Sequence, residues 1–220
     1  PNAGRDASNN ETTAVKSGNK WIINGTKLFI CDGGKADIAL VLAQTDKSKG
    51  PKGLGIFAVE RGTPGFSGKD LVGKLCWRAG NLADLRFSDC EVPEENVVGE
   101  IGRGLRNMFY GIDVARLFVT MGGVGMSRSC LESVIKYAKE RKQFGKPIGS
   151  YQLIQGVIAD MASAIDAVRL QGYRLAWLMD KKASHVLESS YAKYQAMKLV
   201  KWVTSEAVWV FGAYGRIDEY

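Results

Sequence analysis

Two kinds of hydrophobic spacing divide the chain. Over residues 12–98 apolar positions alternate with polar ones in short runs, the period-two pattern of half-buried strands. The stretch 13–30 (TAVKSGNKWIINGTKLFI) predicts strands with turns at Ser17-Gly18-Asn19 and at Asn24-Gly25, because Asn-Gly between alternating apolar residues favours a tight hairpin. Further strands are predicted over 38–44, 54–59, 66–75 and 82–87, separated by segments such as Lys49-Gly50-Pro51 and Gly62-Thr63-Pro64-Gly65. Short strands at this spacing point to a small antiparallel β-barrel or sandwich.

After Val92-Pro93-Glu94-Glu95-Asn96 the period becomes helical. Residues 105–141 predict one long helix, interrupted only by Gly122-Gly123 and Gly125, of roughly 55 Å at 1.5 Å per residue. A second helix is predicted over 151–181, with Ile154, Ile158, Met161, Ile165 and Val168 at helical spacing. A third is predicted over 188–211, with Ala192, Ala196, Leu199, Val203, Ala207 and Val210 on one face and Gly212 as its C-cap. The fold class is therefore α+β and multidomain: a β-domain over 1–100, then an antiparallel helical bundle over 101–220. No repeat or low-complexity segment is visible.

Composition sharpens this boundary. The 220 residues carry 30 basic and 23 acidic side chains, a net charge of +7. Residues 1–100 are balanced at 13 each, so the whole surplus lies in the second part; four of the five prolines lie in the first. The surplus is spread as ordinary helix-surface residues (Lys136, Lys139, Lys193, Lys198, Lys201) rather than clustered on one face, which argues against nucleic-acid binding. No uncharged apolar run is long enough to span a membrane, and no secretory leader is visible. The four cysteines (Cys31, Cys76, Cys90, Cys130) lack C-x-x-C spacing and there is a single His, His185, which argues for free thiols in a reducing compartment and against a metal site.

One charged cluster stands apart. Residues 137–148 (YAKERKQFGKPI) place Lys139, Arg141 and Lys142 at a helix C-terminus closed by Gly145 and Pro147, where basic groups complement the helix dipole. Such an Arg can also meet a phosphate in bidentate fashion. This run, followed by Tyr151-Gln152, resembles the signature of the acyl-CoA dehydrogenases. Pro1-Asn2-Ala3-Gly4-Arg5-Asp6 is similar to the family's P-x-A-G-S-D loop, and residues 22–34 (IINGTKLFICDGG) to its "lNGtKxwItng" hairpin. Residues 87–99 (FSDCEVPEENVVG) match its strand-and-loop motif, and Gly212-Ala213-Tyr214-Gly215 stands where the family has G-G-x-G.

The resemblance implies a flavoenzyme with an N-terminal helical domain, a middle β-domain and a C-terminal four-helix bundle, of which this chain would supply the middle domain and three of the four helices. FAD would lie between the last two domains. A carboxylate would remove the α-proton of an acyl-CoA thioester while flavin N5 takes the β-hydride, and hydrogen bonds to the thioester oxygen would stabilise the developing enolate charge. Phe29, Ile30 and Cys31 match the tripeptide that lines the flavin ring; Cys31 stands where a hydroxyl donor is usual, and a thiol is the weaker donor. Arg141, Gln143, Phe144 and Gln152 match positions contacting the FAD pyrophosphate and adenine of a neighbouring subunit, and Trp209, Gly212 and Ala213 the segment that closes over it. Asp113 and Arg116 match positions that contact CoA. Arg5 departs from the family's Ser beside the thioester, where it could meet an anionic acyl tail or a CoA phosphate.

Ala115 occupies the position of the long-helix Glu found in a branched-chain subset, so the base is expected beyond Tyr220 and the chain alone is expected to be inactive. Cross-subunit sharing of FAD implies a homodimer or homotetramer. The electron acceptor would be an electron-transferring flavoprotein, and the location the cytoplasm, or the mitochondrial matrix in a eukaryote. Two alternatives stay open: an oxygen-reactive relative (an acyl-CoA oxidase or flavin monooxygenase) and a non-catalytic piece lacking the base.

Overall fold

Residues 3–4 and 6–217 are described by the computed structural model; Pro1, Asn2 and Arg5 lie outside them. The chain divides into two compact units, Pro1–Tyr110 and Gly111–Tyr220.

The first unit is built on one six-stranded sheet. Its strands are β1 (Thr13–Ser17), β2 (Lys20–Cys31), β3 (Ile38–Gln44), β4 (Leu54–Glu60), β5 (Phe66–Asp70) and β6 (Leu82–Pro93), in the order β4-β3-β1-β2-β6-β5. The pairings are antiparallel except β1 with β3, which meet in parallel through Thr13 and Gln44. The sheet is thus mixed and open, with β4 and β5 at its edges, where alternation alone had suggested an antiparallel barrel or sandwich. It nevertheless curls: the segment after β6 reaches back to β4 through a Phe57–Val97 bridge. The enclosed core includes Ile23, Val41, Phe57, Val59, Ala83, Leu85, Phe87 and Val92. Trp21 tilts against Phe57 with ring centroids 5.3 Å apart.

Three local expectations change. The β1–β2 turn forms at Gly18-Asn19, but Asn24-Gly25 makes no turn and β2 runs straight through it. Here β6 carries an extra residue, since Ile23 faces Cys90 while Gly25 faces Phe87. Asn24 and Asp89 exchange hydrogen bonds across this bulge, at 3.0 Å and 2.8 Å. Gly25 (φ 144°) is required there because a Cβ would lie 2.8 Å from Thr12 Cα. Long-range pairing thus overrides a local turn signal. For the same reason β6 continues through Ser88-Asp89 to Pro93. β5 ends at Asp70, short of 75, and Gly73 beyond it has left-handed backbone (φ 77°).

The division between units falls inside α1 (Gly104–Glu140), which is continuous through its glycines. In the second unit α1 is followed by a two-strand hairpin, β7 (Lys142–Gln143) and β8 (Lys146–Pro147), then α2 (Gln152–Asp180) and α3 (Val186–Phe211). All six predicted α3 face residues are buried, and from Ala196 to Val210 they pack with Met161, Ile165 and Val168 of α2. Gly123 lets α1 approach α3 closely: a Cβ there would stand 3.1 Å from Val200 Cγ2. Gly212 closes α3 with φ 63°, its N–H donating to Val208 and Trp209 carbonyls. Lys136, Lys139, Lys193, Lys198 and Lys201 are all exposed.

Candidate functional site

In the first unit, β2 builds the site with a bulge. Trp21, Ile23, Gly25 and Lys27 share the inward phase of the strand. Then Lys27 faces Leu85 and Ile30 faces Ala83, so that Leu28 and Phe29 together oppose Asp84. Phe29 takes left-handed backbone (φ 58°), rare for a bulky residue, and its N–H donates to Asp84 Oδ1 at 3.3 Å. The bulge turns the ring of Phe29 out, 69% exposed, and brings Ile30 inward onto the core. Cys31 follows, exposed and free.

A cleft of about 450 Å³ opens beside this segment, walled chiefly by apolar residues such as Ile30, Ile38 and Leu40, and lined also by Cys31, Asn10 and Lys27. A second, of about 340 Å³, is lined by residues 25–30 and shares Lys27, Asn10 and Ile30 with the first. Lys27 Nζ donates to Asn10 Oδ1 at 2.9 Å and to the Leu42 carbonyl at 2.7 Å. No ion pair to it forms among the described residues, and burial alone pulls its pKa down to about 8. Residue patterning did not single Lys27 out; the available signal is a lysine on the inward phase of an otherwise apolar face.

In the second unit, the end of the bundle where α1 stops gathers most of the other predicted residues. Phe144 (φ 51°) and Gly145 (φ 81°) form the tip of the β7–β8 hairpin, the two left-handed residues that a tight hairpin turn demands. The Phe144 side chain is 94% exposed, with its ring edge-on to Tyr151 at 6.4 Å. Tyr151 is fixed by donating to the Gln143 carbonyl at 2.9 Å and by Lys146 over its ring at 4.4 Å. Gln152 begins α2, exposed.

The end of α3 meets the same corner. Tyr137 of α1 tilts against Phe211 with ring centroids 4.8 Å apart and lies 6.2 Å from Tyr214. The Arg141 guanidinium sits over the Tyr214 ring at 5.7 Å and makes no ion pair among the described residues. Trp209, Gly212 and Ala213, just before Tyr214 in sequence, are exposed. Arg141 thus presents donors that no described protein carboxylate uses.

Asp113 and Arg116 lie elsewhere. Asp113 is buried, accepting from Ser189 Oγ at 2.6 Å and from Arg116 Nη1 at 2.9 Å. Arg116 Nη1 also lies 3.3 Å from Ser190 Oγ, and its side chain keeps about a third of its surface open. The i,i+3 pair was legible from spacing; its buried Ser189 partner on α3 was not. Ala115 is exposed on α1, and His185, the N-cap residue of α3, places its ring Nδ1 2.8 Å from the Ala183 carbonyl. No helix among the described residues is long and apolar enough to cross a membrane.

Residues 1–90 match the acyl-CoA dehydrogenase middle domain and residues 102–220 the acyl-CoA dehydrogenase C-terminal domain. The chain is 40% identical over its full length to caffeyl-CoA reductase-Etf complex subunit CarC of Acetobacterium woodii, covering 58% of that protein. It is 38% identical to glutaryl-CoA dehydrogenase of Desulfococcus multivorans, covering 57%. The solved structure of butyryl-CoA dehydrogenase from Megasphaera elsdenii superposes on all of this chain and 58% of its own, with a TM-score of 0.96 at 39% identity. The chain therefore spans a little under three-fifths of the length of these relatives.

Proposed function

This chain belongs to the acyl-CoA dehydrogenase family, and from that premise we propose that its complete gene product is an FAD-dependent enzyme that desaturates an acyl-CoA thioester between the α and β carbons. The observation that carries this reading is Phe29, a large aromatic ring turned out of the core by a bulge, in left-handed backbone, lining the cleft along residues 25–30 and directly preceding Ile30 and Cys31 of the larger apolar cleft. Backbone strain of this kind is enriched at ligand sites.

The side chains fit the parts of FAD. Phe29 offers an aromatic face and Cys31 a weak S–H donor to a flat conjugated ring, with Ile30 holding the segment to the core. Arg141 offers a planar donor set suited to the pyrophosphate of an FAD carried by a neighbouring subunit, and Gln143, Phe144, Gln152, Trp209, Gly212 and Ala213 would complete that nucleotide's surroundings. When bound, FAD supplies a two-electron acceptor for a hydride.

For the substrate, Asp113 acts through Arg116: its buried carboxylate orients the guanidinium, whose open surface would meet the CoA portion. Arg5, outside the described residues, remains assigned to an anionic part of the substrate. Ala115 has no group to take a proton, so the base is assigned to a carboxylate of the gene product outside these 220 residues. The same residues serve the reductive direction named in the Acetobacterium woodii relative. The assembly is a homodimer or homotetramer, with an electron-transferring flavoprotein as redox partner.

The test is an anaerobic titration of the purified gene product with a series of acyl-CoA thioesters. Bleaching of the flavin absorbance, recovered on adding an electron-transferring flavoprotein, supports the reading. A protein without bound flavin, or one bleached by no acyl-CoA, overturns it, and peroxide formed on admitting air assigns an oxidase instead.

A further inference from the structure

The group in the first unit that the reading above leaves without a task is the Lys27 ammonium. It occupies the inward phase of β2, directly before the Leu28-Phe29 bulge, where every neighbouring inward position is apolar or glycine. A lysine there is costly to desolvate, so its partners matter. Both are neutral oxygens from other parts of the chain: the Asn10 side chain in the segment before β1, and the Leu42 carbonyl in the middle of β3. Asn10 is itself tied in, donating to the same Leu42 carbonyl at 2.5 Å and accepting from the Thr12 N–H at 3.1 Å. Around one nitrogen the structure therefore joins β2, β3 and the lead-in segment. This happens at the wall common to both clefts, one of which Phe29 lines and the other Cys31.

The Leu42 carbonyl has a role of its own in this. β1 and β3 pair in the ladder through a single register position, Thr13 with Gln44, so this joint inside the sheet has few ladder bonds. Lys27 and Asn10 supply the missing connections from side chains. The clamp stands within three residues of Phe29 and Ile30, so its loosening would be felt first by the segment that presents the aromatic ring.

We propose that Lys27 is a positioning residue: its bonds to Asn10 and to the Leu42 carbonyl hold the Phe29–Cys31 bulge, and with it the flavin-facing wall of the cleft, in a single arrangement. This inference rests on the FAD reading for its consequence, and on the three-way junction alone for the clamp.

The experiment compares Lys27→Met, which keeps the length and apolar stem, with Lys27→Arg, which keeps donors, and with Lys20→Met, an exposed lysine on the same strand paired with Glu91. Amide hydrogen exchange is followed in peptides covering residues 8–12, 27–34 and 66–70 of the complete gene product, alongside FAD affinity and the visible circular dichroism of the bound flavin. Losing a hydrogen bond from a charged donor corresponds to a change of about tenfold or more. Lys27→Met should therefore speed exchange about tenfold over 8–12 and 27–34 but not over 66–70, weaken FAD by a similar factor and alter the flavin dichroism. Lys27→Arg should restore most of each, and Lys20→Met should change none. Wild-type exchange in Lys27→Met overturns the clamp. Faster exchange with unchanged FAD affinity and dichroism overturns the positioning role. Faster exchange in a wild-type background that binds no FAD supports the clamp while overturning the functional reading itself.

Discussion

Ser189 on α3 donates a 2.6 Å hydrogen bond to the buried carboxylate of Asp113 on α1, residues 76 positions apart in the chain. The carboxylate also holds Arg116, so one buried acceptor connects two helices and aims a third side chain. Removing a donor to a buried charge costs about 1.5–3 kcal/mol. Ser189→Ala should lower stability by that amount in urea unfolding with an unchanged m-value, and Asp113→Ala by at least as much, since Ser189 then loses its acceptor as well.

Glycines in the middle of α1 should respond oppositely to substitution. Gly123 approaches Val200 and Ala196 of α3, with a Cβ at 3.1 Å and 3.4 Å, whereas Gly122 meets nothing within 4 Å. Gly123→Val should destabilise by about 1–3 kcal/mol through overpacking. Gly122→Ala should stabilise by roughly 0.5–1 kcal/mol through helix propensity. Thermal unfolding distinguishes the two, and Val200→Ala should partly rescue Gly123→Val.

The Lys27 pKa gives a pH test with a definite sign. Burial holds it near 8, below the ordinary lysine value of 10.5, so between these values the unfolded chain binds the proton that the folded one has released. Stability from this group therefore rises with pH over that window, by at most about 3 kcal/mol at 1.36 kcal/mol per pH unit. A neutral amine still carries two N–H donors for Asn10 and Leu42, so the clamp survives deprotonation. Urea unfolding of wild type and Lys27→Met at pH 7.5 and 10 should show the wild type gaining relative to the variant as pH rises; a constant difference contradicts the burial of the ammonium.

Arg141→Ala should yield protein largely free of flavin. Charge-assisted bonds to phosphate are worth about 1.5–3 kcal/mol, or roughly 10- to 150-fold in affinity. The flavin-to-protein absorbance ratio after purification reads this directly, and full flavin content in the variant contradicts the assignment.

Cys31→Thr should raise the flavin reduction potential, because a hydroxyl is a stronger donor than a thiol to a ring that gains negative charge on reduction. A gain of about 1 kcal/mol corresponds to roughly 20 mV for a two-electron couple. Potentiometric titration checks it, and an unchanged potential would show that Cys31 contributes only bulk.

Element type was readable where burial has one period. β3 and β4 lie where alternation placed them, and the α3 face from Ala192 to Val210 is buried residue by residue. Asn24-Gly25 was misread because turn chemistry is local while the β2–β6 pairing that overrides it joins residues about seventy apart. Sheet closure was misread because alternation fixes which face is buried and is silent on which strands become edges. Among site residues, Arg141 and the Gly212 cap stood out through helix-end chemistry, and Phe144 through the family resemblance alone. Lys27 did not, since alternation gives its inward phase but not the oxygens of Asn10 and Leu42 that the fold brings to it, and Ser189 is unremarkable until α3 folds against α1.

The long pairing of β2 with β6 sets the order in which the first unit can form. The β1–β2 and β3–β4 hairpins close over short loops, but Lys20 pairs with Pro93 and Cys31 with Leu82. Contacts of such separation fold slowly. During synthesis, at roughly 5–20 residues per second, the inner edge of β2 stays unpaired for several seconds after it leaves the ribosome. Throughout that interval Trp21, Ile23 and Ile30 are open to any neighbouring strand, so the yield of folded protein depends on how quickly residues 82–93 arrive to cover them.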